Sequence, residues 1–171
     1  MEQRISRIIS IIFHPLLIPT YIIGILLNQN AFFSLILTAD AKWKIAALIF
    51  LITAAFPVVV MLGMYRFGLV QTVSMERKEE RLYPYMATAI FFFLAYYLIY
   101  QINLSPVYYY CLLGASILAV LTLLINTIWK ISAHTISVGA VLGAFVSLQL
   151  VLHLNLIWYI VAGIVIGGVI G

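Results

Sequence analysis

Two short polar stretches interrupt an otherwise apolar chain, and they carry most of its candidate chemistry. The first is Met75-Glu76-Arg77-Lys78-Glu79-Glu80-Arg81-Leu82-Tyr83-Pro84. As a helix, it would place Arg77 and Arg81 four residues apart on one face, with Glu76 and Glu80 beside them. Two guanidiniums on one face form a planar fork that matches the oxygens of a phosphate, with Lys78 adding a further cation. Taken alone, the stretch reads more simply as a solvated, membrane-anchoring loop with internal Glu–Arg pairs.

The second stretch is Lys130-Ile131-Ser132-Ala133-His134-Thr135. Ser132 is placed to cap a helix start, where the first N–H groups have no partner in the helix and favour anions. With Lys130 beside it, such an end is a phosphate cradle. Imidazole is the side chain that ordinarily titrates near neutral pH, which suits His134 to moving a proton. The plainer alternative is a snorkelling Lys130, a capping Ser132 and a hydrogen-bonded histidine within a bundle.

The elements that position these residues follow from composition. The chain has 171 residues, 65% of them hydrophobic and 8% charged, whereas an ordinary soluble domain is roughly 45–50% apolar and about 25% charged. Mean hydropathy is +1.18. Those values exclude a soluble enzyme, a disordered chain and a disulfide scaffold, and leave an integral membrane protein. Nine Lys/Arg against five Asp/Glu give +4, too few and too scattered to bind nucleic acid, but enough to set orientation. Cys111 is the only cysteine, so no internal disulfide can form.

A helix needs about 20 apolar residues to cross a hydrocarbon core of about 30 Å. Six stretches meet or approach that length: residues 5–27, 45–64, 84–102, 106–128, 131–152 and 154–170. They predict an all-α membrane bundle of about six helices in a single domain covering 1–171. Residues 28–44 and 66–83 read as loops, and Pro106 opens a helix after the tight turn Asn103-Leu104-Ser105. The apolar run after Arg4 and Arg7 has no small-x-small cleavage site, so it is kept as structure rather than as a leader. The last stretch is short and has no polar cap after Gly171. An unfinished final helix, and hence a sequence cut short, is the expectation.

Helices three and four form an out-and-back pair, which puts the loop before the third and the loop before the fifth on one side. Arg77, Lys78, Arg81, Lys130, Ser132 and His134 can therefore meet at one membrane face. With the N-terminus on that side, it carries Arg4, Arg7, Arg66, Arg77, Lys78, Arg81 and Lys130, against Lys42 and Lys44 opposite. Seven to two favours a cytoplasmic N-terminus, with a bacterial inner membrane as the expected compartment; set aside Arg77, Lys78, Arg81 and Lys130 as there for chemistry, and three to two decides little. Gly139/Gly143 and Gly163/Gly167/Gly171 present small faces for close helix packing or for an oligomer. Tyr108–Tyr110, Trp43, Trp129 and Trp158 fall where aromatic belts lie, and Phe91–Phe93 with Tyr96 and Tyr97 read as lipid-facing bulk. Counted as helix, His14 lies ten residues into the first stretch, roughly 15 Å deep, and His153 lies roughly 28 Å from His134. Neither is expected to partner His134; His14-Pro15 and Pro19 read as a kink. No His/Cys/Asp/Glu grouping has metal-ligand spacing, so neither a metal nor a cofactor is expected.

These two stretches resemble motifs of the type 2 phosphatidic acid phosphatase superfamily, integral membrane hydrolases of lipid phosphates. Its three blocks are Lys-x6-Arg-Pro, Pro-Ser-Gly-His and Ser-Arg-x5-His-x3-Asp. Ile131-Ser132-Ala133-His134 is similar to the second, with Ile for Pro and Ala for Gly. Arg77 to Pro84 is loosely similar to the first, without its Lys–Arg spacing or its Arg–Pro adjacency, and the third has no counterpart. The resemblance spans roughly residues 66–171. It implies a phosphorylated lipid headgroup as partner, Arg81, Lys130 and Ser132 as phosphate ligands, and His134 as the acid that protonates the leaving alcohol. No residue matches the family's nucleophilic histidine, so the chain by itself is expected to have little or no activity. The alternative is a non-catalytic membrane protein, either a transporter or a lipid-binding or scaffold member.

Overall fold

In a computed structural model, residues 14–68, 81–129 and 131–170 are described. All regular structure among them is helical. A 3-10 turn, Pro15–Leu17, leads into α1 (Ile18–Leu27), and a single turn, α2 (Phe32–Leu35), follows. Next come α3 (Ala39–Arg66), α4 (Leu82–Gln101), α5 (Pro106–Ile128), α6 (Ala133–Leu152) and α7 (Ile157–Ile170). The helices α3 to α6, of 28, 20, 23 and 20 residues, are long and apolar enough to cross a membrane; α1 and α7 are shorter apolar helices. The chain is an integral membrane protein of the all-α bundle class.

Helices α4 and α5 pack along their lengths as an antiparallel hairpin, with α6 and α7 forming a second. The turn between α4 and α5 is as tight as expected: Asn103 takes a left-handed φ of 53° and Pro106 opens α5. The core is mostly aliphatic, with Phe92, Tyr108 and Phe145 among its buried residues. Ile23, Leu26 and Leu27 of α1 meet Ile49 of α3, Ala95 and Ile99 of α4, and Leu112 of α5.

Several expectations need correction. The loop of residues 28–44 is partly helical, because Thr38 caps α3 by accepting a hydrogen bond from the Ala41 N–H at 3.2 Å. That cap lets α3 start at Ala39, six residues before the apolar run. Within α3, Leu51–Ala55 is a π turn, with the Phe56 N–H bonded to the Leu51 carbonyl. Pro57 follows at once, and its ring would crowd the carbonyl four residues back; the wider turn absorbs that clash. The last helix starts at Ile157 rather than at 154, after His153 ends α6 with a left-handed φ of 52°.

The glycine faces differ from each other. A Cβ on Gly163 would sit 2.9 Å from Leu142, and one on Gly167 would sit 2.8 Å from Val138, so those two do allow α7 to approach α6 closely. Gly139 and Gly143 face open space instead. Tyr108 is no belt residue: it is 1% exposed, and its hydroxyl donates to the Phe33 carbonyl at 3.3 Å. Phe92 likewise turns into the core, while Phe93 and Tyr97 face outward.

Candidate functional site

The α4/α5 hairpin returns the chain to the end of the bundle from which α4 began, so the starts of α4 and α6 lie together. Arg81 is the residue before α4, and its Nη1 donates to the Ile131 carbonyl at 2.9 Å, across 50 residues of sequence. Three residues on from Ile131 stands His134, in the first turn of α6. Ser132 is the cap of that helix, accepting from the Thr135 N–H at 3.4 Å. The convergence expected of Arg81, Ser132 and His134 is therefore present. Arg77, Lys78 and Lys130 lie outside the described residues.

The structure adds a residue that linear counting dismissed. His14 has extended backbone, φ −63° and ψ 134°, and is the cap of the 3-10 turn rather than a position deep in a helix. Its ring lies edge-on to that of His134, with centroids 5.9 Å apart and planes at 83°. The expectation that His14 lies deep in a helix and away from His134 is not met, and proline supplies the reason. Pro15 has no N–H to donate and disfavours helical backbone at the residue before it, so the helix begins after His14 instead of kinking through it. The sequence signal was His-Pro itself, read as a helix break instead of a bend. His153, by contrast, stands at the other end of α6, as expected.

Local contacts set the state of this second imidazole. The Leu16 N–H donates to His14 Nδ1 at 3.3 Å, so in the neutral ring the proton resides on Nε2. His14 precedes the described helices and lies outside the four described spans. Burial, and secondarily the neighbouring His134, hold its imidazole below the ordinary value of 6.5.

Among the described residues, the end of the bundle thus gathers the Arg81 guanidinium, the His14 and His134 imidazoles, the capping Ser132 hydroxyl and the N-termini of α4 and α6. Helix starts carry partial positive charge and Arg81 a full one, so the arrangement is suited to an anion. His14 and His134 are both partly buried and Ser132 is exposed. Among the described residues, no group of three or more His, Cys, Asp or Glu side chains could hold a metal ion. No family model matches this chain, and neither does any curated protein or solved structure.

Proposed function

We propose that this end of the bundle binds the phosphate head of a lipid, and that the chain is a membrane-embedded, lipid-phosphate-phosphatase-like hydrolase of phosphomonoesters or diphosphates. The observation that carries the reading is the Arg81–Ile131 hydrogen bond, which brings a guanidinium to the helix start that bears Ser132 and His134. Arg81 then grips phosphate oxygens through its planar fork. Ser132 and the α6 start add neutral donors, and Lys130, Arg77 and Lys78 are assigned to the same anion on the sequence pattern. His134, protonated, gives its proton to the leaving alkoxide as the phosphorus–oxygen bond breaks. His14 enters as a donor through Nε2–H, because its Nδ1 lone pair already accepts the Leu16 N–H. That same bond argues against His14 as the attacking nucleophile. Phosphate binding is therefore the primary expectation for this chain, with turnover dependent on a nucleophile that none of its residues matches. The Lys/Arg count further assigns the site and the N-terminus to the cytoplasmic face of a bacterial inner membrane.

The test is binding of a short alkyl phosphate to the purified protein in lipid nanodiscs, followed by calorimetry. The reading requires saturable binding that weakens at least tenfold in Arg81→Ala, together with a pH dependence that His134→Ala changes. Equal affinity in wild type and both variants would reject it.

A transporter remains the second reading, because the π turn of α3 interrupts a spanning helix, as functional π turns often do. Thr53, in that turn, bonds to the Ile49 carbonyl at 2.9 Å and faces the Thr20 hydroxyl at 3.3 Å. Both hydroxyls are thus engaged within the protein, which weighs toward a packing role for the turn.

A further inference from the structure

The α6/α7 hairpin is held to the rest of the bundle unevenly. Helix α6 is the least buried of the four spanning helices, at 11% against 22–33%, and Ser137 and Phe145 are its only buried residues. It packs chiefly on α7 and touches α1, α5 and the 3-10 turn sparsely. A cleft of about 780 Å³ flanks it on the side of Val138 and Val141. A groove of about 700 Å³ flanks it on the side of Ala140 and Gly143, leading from Pro15 and Ala133 to Val107 and Leu152. Apolar anchorage is confined to the half near the α6/α7 turn, where Phe145, Leu154 and Leu156 belong to the core. At the opposite end the ties are polar: the Arg81 hydrogen bond to the Ile131 carbonyl and the meeting of His14 with His134. We propose that the α6/α7 hairpin is a lever that pivots on its buried turn and is latched at the other end by the His14–His134 contact, which acid opens. Neutral imidazoles keep the start of α6 against the 3-10 turn; charged ones let it swing out, opening the end that carries Arg81, Ser132 and His134. The lever needs no ligand there, so phosphate binding can fail without touching it.

Protonation acts on this contact in two ways. His14 Nδ1 accepts the Leu16 N–H at 3.3 Å; a proton on that nitrogen turns the acceptor into a donor and ends the cap. Two imidazolium rings with centroids 5.9 Å apart also repel each other, and Arg81 adds a third positive charge at the same helix start. The neighbouring elements offer little to offset this. The 3-10 turn packs on α1, on the π turn of α3 and on α6; α1 carries Tyr21, the π turn no titratable group, and α6 His134. The start of α4 carries Tyr83 and Tyr85 besides Arg81, and α5 and α7 carry Tyr108, Tyr109, Tyr110, Cys111 and Tyr159 toward the other end. Phenols and thiols stay neutral where histidine titrates, and Asp40, the one described carboxylate, also stands at the other end. Glu76, Glu79 and Glu80 lie outside the described residues. Burial and His134 hold His14 below its ordinary value, so the closed latch favours the neutral ring and, by linkage, a bound proton favours the open one.

The experiment measures distances between pairs of spin labels, by electron paramagnetic resonance, on the whole chain in nanodiscs without ligand. Cys111→Ala removes the native thiol, and Ile90→Cys on α4 with Val165→Cys on α7 places labels at two exposed positions. Taking the sample from about pH 8 to about pH 5, either side of the ordinary histidine value of about 6.5, should add a population in which the labels stand farther apart. The expected shift is about 5 Å, the scale on which packed elements move between discrete arrangements. His14→Gln and His134→Gln should each cut that acid-induced population at least about threefold. Asn also accepts an N–H as a cap, so His14→Asn serves if His14→Gln does not assemble. His153→Gln, at the other end of α6, should leave the population intact. The reference pair Val59→Cys with Ile90→Cys, on α3 and α4, should keep one distance throughout. No acid-induced population in the first pair overturns the proposal, as does an equal change in the reference pair, which would mean general loosening. A population undiminished in both histidine variants would belong to another group, the glutamates of residues 76–80 among them, and overturns it too.

Discussion

The two ends of the bundle handle polar groups in opposite ways. At the end formed by residues 28–40, 101–108 and 153–156, the long-range polar contacts are neutral and closed. Tyr108 and Ser34, 1% and 0% exposed, donate to the carbonyls of Phe33 and Leu27. An ion pair there is local: Lys44 and Asp40, one helical turn apart, meet at 2.6 Å with their side chains 75% and 74% exposed. At the other end a charged group makes the long-range contact, Arg81 to Ile131, beside two imidazoles that meet across 120 residues of sequence. Neutral closed contacts lock a turn in place. A guanidinium and two partly buried imidazoles gathered at one end are costly to assemble for packing alone, and this contrast is the ground for proposing a site at that end and a scaffold at the other.

The contrast can be broken most decisively by charge. Arg81→Ala should weaken alkyl phosphate binding by about 10–100-fold, the equivalent of losing a hydrogen bond to a charged group worth about 1.5–3 kcal/mol. Arg81→Lys should recover only part of that, since a lysine keeps the charge but not the fork. Lys44→Ala should leave binding as in wild type, and a loss equal to that of Arg81→Ala would erase the distinction between the ends.

Proton NMR of the histidines sharpens the comparison next. The His14 imidazole should titrate below 6.5, and His134→Ala should move its midpoint upward by removing a neighbouring positive charge. Because the folded value is the lowered one, the contribution of His14 to stability is present above pH 6.5 and is lost as pH falls below 6.5 through the folded value. Thermal unfolding in nanodiscs should accordingly weaken on acidification, less so in His14→Gln. An unchanged His14 midpoint in His134→Ala would mean the rings do not sense each other.

The two helix caps offer a matched pair. Thr38 and Ser132 each accept one N–H at the start of a spanning helix, at opposite ends. Thr38→Ala and Ser132→Ala should each cost about 1 kcal/mol of stability, but only Ser132→Ala should also weaken phosphate binding. The smallest effect belongs to Asp40→Ala, which removes an exposed pair worth at most about 0.5 kcal/mol. A larger loss in chemical denaturation would show that the scaffold end depends on its charges after all.

Much of the fold was legible because hydropathy and helix length are local properties. Runs of about 20 apolar residues must become helices to satisfy their backbone in lipid, and Ser132 and Pro106 mark helix starts by chemistry confined to a few residues. Other boundaries were missed for equally local reasons: the Thr38 cap extends α3 into a stretch whose Asp40, Lys42 and Lys44 suggest a loop, and the π turn answers to Pro57. The glycines show the limit most clearly. Gly143 and Gly163 have the same spacing signature, yet one faces a groove and the other a neighbouring helix.

The sequence by itself determined that this is a membrane bundle and that Arg81 and His134 share an end, because an out-and-back pair of spanning helices must return the chain to the face it left. Only the tertiary structure decided that His14 joins them, that two glycines close the α6/α7 contact, and that a groove leads away from the paired histidines. Those outcomes depend on how each helix is rotated about its axis and where it begins relative to its neighbours. Packing between elements sets these quantities, and no stretch of one helix encodes them alone.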